Sequence, residues 1–158
     1  MICRDQGTLV LISDIGRLLR LRINEESLPL MGRLAQGPMT MRLLPGEQIV
    51  GAICTEQTPL MLFSQRGLIG RIDISSLRYN QRGDLGSMAV QMDAESDRLV
   101  GISSGTGLVG VRTSKDRHGR LDPEDINISK PGDQLMEKTS LQNGETIAEV
   151  INAIQPDS

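Results

Sequence analysis

Aromatic residues are almost absent from this chain: its 158 residues include no Trp, one Phe (Phe63) and one Tyr (Tyr79). Its apolar core must therefore come from Leu, Ile, Val and Met. Proteins that bind single-stranded nucleic acid commonly stack bases on aromatic side chains. The sequence offers almost no residues for such a platform, so a duplex is the better candidate among nucleic-acid ligands.

Residues of metal sites and disulfide frameworks are equally scarce. The single histidine, His118, excludes the usual zinc spacings, and two cysteines, Cys3 and Cys54, are too few for a disulfide framework. We expect both cysteines to be small buried apolar residues, because they occupy equivalent positions in a repeat. No secretion leader or membrane-length apolar run is recognisable, which favours the cytoplasm.

The sequence does contain an internal repeat. Residues 1–13 align with residues 52–64 at an offset of 51, and the same offset places Gly16 on Gly67. A third copy begins near Leu108, with about four extra residues expected before Gly119. Copies of about fifty residues therefore run approximately over 4–54, 55–103 and 104–152, as one repeat domain over 1–158.

Each copy has the pattern of short β-strands. Leu19, Leu21 and Ile23 can face one side of a strand while Arg20 and Arg22 face the other. Gly- and Asp-rich turns separate the apolar runs. About four strands per copy is typical of a blade in a propeller-like fold, and stacked blades bury one another's apolar faces. The sequence predicts an all-β protein of about three four-stranded blades.

The first residues of the chain match the end of a copy, since Ile2-Cys3 aligns with Ile53-Cys54. We therefore expect the chain to open with the last strand of a preceding blade, as a piece of a longer array. Alternatively, this strand closes a small ring against the last copy.

Two patterns invite a catalytic interpretation, and neither supports one. Residues 105–110 fit a dinucleotide fingerprint, with Asp125 beyond them, but no helical pattern follows to receive a pyrophosphate. His118 near Asp116 lacks any sign of the pocket that a general base needs. We expect no catalytic residue, no cofactor and no metal.

The basic residues are the most informative set. Fourteen of the seventeen are Arg, which suits bidentate contact with phosphate. Residues 1–90 carry a net charge of +2 and residues 91–158 a net charge of −5. Stacked blades would align the arginines of the first two copies into a stripe that could follow a nucleic-acid backbone, or form an ordinary solvated face. The candidate DNA-binding residues are Arg17, Arg20, Arg22, Arg33, Arg42, Arg66, Arg71, Arg78 and Arg82.

Several motifs in order, at residues 16–21, 30–37 and 46–51, resemble the repeat of the C-terminal domain found in the A subunits of DNA gyrase and topoisomerase IV. The resemblance implies a β-pinwheel of about five or six blades that exchange strands, with a basic rim that binds and bends duplex DNA. The cleavage tyrosine and the ATP site of these enzymes lie elsewhere, so Tyr79 has no cleavage role. The gyrase box is represented only by a degenerate segment, with Gln81, Arg82, Gly83 and Gly86.

The resemblance also implies partners and a location. Duplex DNA, the remaining domains of the topoisomerase A chain and the enzyme's B chain are the expected partners, in the bacterial nucleoid. Open blade edges would also permit self-association. The alternative function is a propeller-like scaffold that binds protein, which the net charge of −3 and the acidic third copy favour.

Overall fold

The computed structural model describes residues 7–55 and 59–152 and confirms an all-β fold. Over these residues the chain forms twelve strands and one turn of 3₁₀ helix, Pro123–Asp125. The strands are β1 Thr8–Ser13, β2 Arg17–Arg22, β3 Ile49–Thr55, β4 Leu60–Ser64, β5 Leu68–Ile72, β6 Ser87–Met88, β7 Leu99–Ser104, β8 Val109–Thr113, β9 His118–Leu121, β10 Ile128–Ser129, β11 Glu137–Lys138 and β12 Ile147–Asn152.

The strands form three sheets, one for each copy of the repeat. Sheet one has the order β3-β1-β2-β6, and sheet two has the order β10-β5-β4-β7 with β11 also paired to β5. Sheet three, within the described residues, has the order β12-β8-β9. Each sheet is built around a tight antiparallel hairpin, β1–β2, β4–β5 or β8–β9.

Strands are exchanged between the copies, as the resemblance implies. β6 belongs to the second copy but pairs with β2 of sheet one, where Ser87 lies opposite Leu18. β11 belongs to the third copy and pairs in the same way with β5 of sheet two. The Ala89 N–H donates to the Gly16 carbonyl at 2.9 Å, and the Thr139 N–H donates to the Gly67 carbonyl at 2.8 Å. We call residues 37–43, 86–92 and 136–142 the first, second and third outer segments.

The apolar core lies between consecutive sheets. One cluster joins sheets one and two through fully buried residues such as Ile12 and Leu62, and another joins sheets two and three through Phe63 and Val109. A third cluster covers the other side of sheet one. Burial of these faces between neighbours explains why copies of this size stack, because a lone sheet would leave its apolar surface in water.

The third copy has no insertion, so the expectation of about four extra residues before Gly119 is wrong. The β8–β9 register aligns with that of β4–β5 residue for residue, and Asp116 falls at the place of Gly67 in the turn. Its φ is +58°, against +90° at Gly16 and +89° at Gly67. Aspartate tolerates the left-handed region better than most residues, so the turn survives without glycine.

The cysteine expectation also needs correction. Cys54 is partly buried rather than fully buried, and it is disulfide-bonded. Cys3, and with it the strand expected at Ile2-Cys3, lies outside the described residues. In residues 7–55 and 59–152, no helix has the length and apolar character needed to cross a bilayer.

Candidate nucleic-acid interface

The structure divides the nine candidate arginines into two groups, and the first is committed to contacts within the protein. Arg17 is only 7% exposed. Its Nε donates to Glu47 Oε1 at 2.9 Å, its Nη1 donates to the Leu85 carbonyl at 2.6 Å, and its Nη2 also pairs with Glu47. Arg17 therefore joins sheet one to the approach of the second outer segment and is not open to a phosphate.

Arg71 and Arg20 occupy equivalent positions on β5 and β2, and each reaches into the following copy. Arg71 is 7% exposed, and its Nη2 donates to Glu124 Oε1 at 2.6 Å. Arg20 is half-buried and donates to the carbonyls of Ile74 and Leu77 at 3.2 and 2.9 Å. Both arginines tie neighbouring copies together, which the sequence did not predict.

The second group is exposed. Among its members, Arg66 Nη1 makes only a long contact of 3.5 Å with the Ser96 carbonyl. Its members are Arg22, Arg33, Arg42, Arg66, Arg78 and Arg82.

A cleft of about 440 Å³ brings together two of these exposed arginines from different copies. Arg22 comes from the end of β2, and Arg82 comes from the turn of the degenerate gyrase box. The remaining residues of the cleft are polar apart from the ring of the tyrosine. They are Asn24, Glu26, Ser27, Tyr79, Asn80 and Gln81.

Tyr79 organises one wall of this cleft. The guanidinium carbons of Arg20 and Arg22 lie 4.1 and 4.2 Å from the centroid of its ring, within the range of cation–π attraction. Its hydroxyl is 3.1 Å from Thr8 Oγ1 and accepts from Arg20 Nη2 at 3.1 Å. The Thr8 contact and then the two positive charges outweigh burial and lower the pKa of Tyr79. The ring thus holds the Arg22 guanidinium in place at the surface.

Asn80 forms the floor where the two copies meet. Its Oδ1 accepts from the Arg20 N–H at 3.1 Å, and its own N–H donates to the Arg20 carbonyl at 2.7 Å. Asn80 is 7% exposed, and its Nδ2 has no hydrogen-bond partner among the described residues. Arg20 Nε is likewise a buried donor without a partner in the described part of the chain. Both atoms are buried, so an ordered water is the partner that suits them, and neither is offered to a ligand in the cleft.

The degenerate gyrase-box segment is a turn that docks the second outer segment. Asp84 Oδ2 accepts from the Gln81 N–H at 3.0 Å, so this acidic residue closes the turn. Gly86 has a φ of +80°, and a Cβ there would lie 2.6 Å from the Leu18 carbonyl oxygen. The last glycine of the segment is therefore required by the close approach of β6 to β2.

The candidate catalytic patterns do not assemble a site. The side chain of His118 is 65% exposed on β9, and its Nε2 lies 3.8 Å from Oδ1 of Asp116, which is more exposed still. Residues 105–110 lead into β8 and not into a helix. No cluster of metal-ligating side chains occurs in the described ranges.

Comparison with known proteins identifies the family. A family model described as the DNA gyrase C-terminal domain, β-propeller, matches residues 7–56 and 58–106. The chain belongs to this gyrase C-terminal domain family. The two matched stretches correspond to the first two copies, and the third sheet repeats the same hairpin outside them.

Relatives with similar sequences are the A chains of topoisomerases. The chain is 32% identical over 93 residues, 58% of its length, to the A chain of DNA topoisomerase 4 from Synechocystis. It is 24% identical over 146 residues, 84% of its length, to the A chain of DNA gyrase from Mycobacterium leprae. The matches span 10% and 12% of those two proteins, so the chain corresponds to a small part of each.

Solved structures support the same fold. The C-terminal domain of a DNA topoisomerase IV superposes with a TM-score of 0.74 at 14% identity, covering 92% of this chain and 46% of that one. The E. coli ParC C-terminal domain gives 0.69 at 17% identity, covering 96% of this chain and 62% of that one. The fold is therefore that of the gyrase and topoisomerase IV C-terminal domains, over about half of their length.

The roles of Tyr79 and Asn80 are not evident from the sequence. Its pattern predicts only packing or a surface position for Tyr79 and does not single out Asn80. Both act across copies, since Tyr79 and Asn80 follow β5 but contact residues of β1 and β2. Their proximity to Arg82 and Gln81 in the sequence is the only available signal.

Proposed function

We propose that this chain is a non-catalytic DNA-binding module from the A chain of a type IIA topoisomerase, and that it contacts duplex phosphates through its exposed arginines. The observation that carries the proposal is the cleft in which the exposed Arg22 and Arg82 of different copies converge. Family membership supports the same function, because two of the similar proteins are named as the A chains of gyrase and topoisomerase IV.

The exposed arginines suit this role physically. Arginine forks match phosphate oxygens, and each neutralised phosphate releases counterions. We therefore narrow the nine candidates to Arg22, Arg33, Arg42, Arg66, Arg78 and Arg82, and assign Arg17, Arg20 and Arg71 to positioning the copies. The sparse aromatic content favours a duplex over single strands.

The expected partners follow from the same assignment. They are duplex DNA, the remaining domains of the topoisomerase A chain and the enzyme's B chain, in the bacterial nucleoid. Self-association through uncovered strand edges is part of the proposal as well. We place the cleavage tyrosine and the ATP site of the enzyme outside this chain.

Salt-dependent binding tests the proposal. Affinity for a mixed-sequence duplex, measured by fluorescence anisotropy from low to moderate salt, should fall steeply as salt rises. Arg22→Ala and Arg82→Ala should each weaken binding similarly across sequences and lower the salt slope by about one unit.

Lys130→Ala provides the control for these variants. It removes an exposed cation from the acidic third copy and should leave affinity unchanged. Binding that is absent at low salt, or insensitive to salt, would contradict the proposal. A protein captured while duplex is ignored would instead favour the scaffold function.

Whether the module wraps DNA is a separate question. Nicked circles ligated with the protein bound should show a shift in linking number if the duplex is wrapped. Because the box has only one arginine and includes Asp84, we expect contact or bending with little positive shift. A large positive shift would show that the degenerate box does not prevent gyrase-like wrapping.

A further inference from the structure

The internal repeat shows what covers each hairpin edge. In sheets one and two, the next copy supplies an outer segment to the outer strand of the hairpin, through β6 and β11. In sheet three the outer strand of the hairpin is β9, and it pairs with no further strand in the described part of the chain. Three of its four residues, His118, Gly119 and Arg120, are exposed, whereas the equivalent β5 residues Ile69 and Arg71 are buried.

The first outer segment is the complementary element. The carbonyl of Thr40 accepts from the Gly83 N–H at 2.9 Å, as the carbonyl of Ala89 accepts from the Gly132 N–H at 2.9 Å. The two segments therefore have equivalent contacts on the side that faces the following copy. On the other side they differ, because the Ala89 N–H donates to Gly16 while the Thr40 N–H has no acceptor within the described residues.

The acceptor that the Thr40 N–H lacks among the described residues has its counterpart in the turn between β8 and β9. Gly16, Gly67 and Asp116 are equivalent, and the first two receive the N–H of an outer segment through their carbonyls. The Asp116 carbonyl receives no such bond among the residues described. Within residues 7–55 and 59–152, the Thr40 N–H and the Asp116 carbonyl are thus the two halves of a bond that the molecule makes twice elsewhere.

Charges at the two free surfaces also match. Arg71 pairs with Glu124 across the junction of sheets two and three. The register of the strands makes Arg120 the equivalent of Arg71. Glu26 lies two residues after Asn24, whose Oδ1 caps the turn by accepting from the Ser27 N–H, and Glu124 lies two residues after Asp122, whose Oδ1 caps the corresponding turn. Arg120 and Glu26 are both exposed, and the described residues provide neither with an ion-pair partner.

Strands β3, β7 and β12, at the other edge of each sheet, fit one another by the size of their side chains. A Cβ on Gly51 would lie 2.5 Å from Ile102 Cγ2, and a Cβ on Gly101 would lie 2.7 Å from Val150 Cγ2, so a small residue faces a branched one at both junctions. At the free surfaces the order is reversed. Glu149 stands at the position of Gly51, and exposed Ala52 stands at the position of Ile102.

We propose that two copies of this chain join head to tail, with the first outer segment of each on β9 of the other, and close a two-fold ring of six sheets. Two exposed apolar side chains become buried in this arrangement: Met39, in the first outer segment, and Leu34, just before it. The contact is head to tail, and two identical contacts related by a two-fold axis close the assembly.

Sedimentation equilibrium of the full chain without DNA tests the ring directly. We expect twice the chain mass of 17.2 kDa at micromolar concentrations. A monomer throughout would overturn the proposal, and so would a ladder of growing oligomers, because an open contact would produce filaments. The absence of DNA keeps this outcome independent of the proposed DNA binding.

Charge reversal identifies the contact. Glu26→Arg and Arg120→Glu each place like charges at both junctions, and each should raise the dimer Kd at least about tenfold. Mixing the two variants should restore the dimer, since the heterodimer then has opposite charges at both junctions. Glu95→Arg, at an exposed acidic residue away from both surfaces, is the matched control and should leave the Kd unchanged. Variants that fold by circular dichroism but fail to complement each other would show that the copies meet elsewhere.

Discussion

Sheets one and three contain equivalent hairpins, β1–β2 and β8–β9. They differ in what pairs with the outer strand: the second outer segment pairs with β2, whereas no further strand of the described residues pairs with β9. Both sheets hold an arginine against a buried glutamate: Arg17, the first residue of β2, pairs with Glu47, and Arg117, directly before β9, pairs with Glu145. The side chain of Arg17 is 8% exposed under the approach of the second outer segment, while that of Arg117 is 46% exposed. The neighbouring copy, more than the arginine–glutamate pair itself, therefore determines whether this ion pair is buried.

The largest expected effect is on this pair. Arg17→Ala leaves Glu47 buried without its partner and should lower the free energy of unfolding by about 3–5 kcal/mol. Arg117→Ala should cost about 1 kcal/mol or less, because water can reach the glutamate once the exposed arginine is gone. Urea unfolding followed by circular dichroism measures both. Equal losses of unfolding free energy in the two variants would contradict the conclusion that the neighbouring copy determines the burial of the pair.

The two turns provide a second contrast. A Cβ on Gly16 would lie 2.6 Å from the Val90 carbonyl oxygen, and its φ is +90°. Gly16→Ala should therefore lower the free energy of unfolding by about 2 kcal/mol or more, since the second outer segment must move at Val90 and the backbone is strained.

At the turn between β8 and β9 the same reasoning predicts a change in stability of the opposite sign. Asp116 has a positive φ and no outer segment against it within the described residues, so Asp116→Gly should raise the free energy of unfolding by up to about 0.5 kcal/mol. Thermal unfolding of both variants is the measurement. A loss of stability for Asp116→Gly would mean that the aspartate side chain contributes more than its backbone costs.

The smallest effect is on pH dependence. Burial raises the pKa of Glu47, but Arg17, the Leu44 N–H and Ser13 outweigh it and hold the pKa below 4.5. Contacts from Thr113, then from the Gln142 N–H and Arg117, also lower the pKa of Glu145. An acid with a lowered folded pKa contributes stability that is present above the unfolded pKa and is lost as pH falls through the folded value.

Stability should therefore decline as pH drops below about 4.5, and Glu47→Gln and Glu145→Gln should each flatten this decline. Urea midpoints measured from pH 6 down to pH 3 would show it. A slope unchanged in both variants would place the acid-sensitive groups elsewhere.

Much of the fold followed from the sequence, because sheet pairing here is local and repeated. The offset of 51 between the first two copies placed Gly16 and Gly67 in equivalent turns, and the alternation of Leu19 and Leu21 gave one of the two buried faces of β2. It did not show that Leu18, on the other face, is buried against sheet two. The third copy misled because its turn glycine is replaced by Asp116. With glycine as the marker of the turn, the alignment shifts to Gly119 and predicts an insertion that does not exist.

The candidate site was less accessible to the same reasoning. Residue type alone could not separate Arg17 and Arg71, which are buried, from Arg22 and Arg82, which are exposed. That separation depends on contacts between copies that lie far apart in the sequence. The narrowed set of arginines therefore stays a prediction to be tested by substitution.

The exchange of strands has a consequence for how the chain is made. Because β6 completes sheet one from within the second copy, the first copy cannot finish folding on the ribosome until residues 87–88 have emerged. Contacts between residues so distant in sequence slow folding, and an incomplete sheet exposes an edge in the meantime. Folding should thus lag behind synthesis by one copy, because each of the first two sheets is completed only when the outer segment of the next copy has been made.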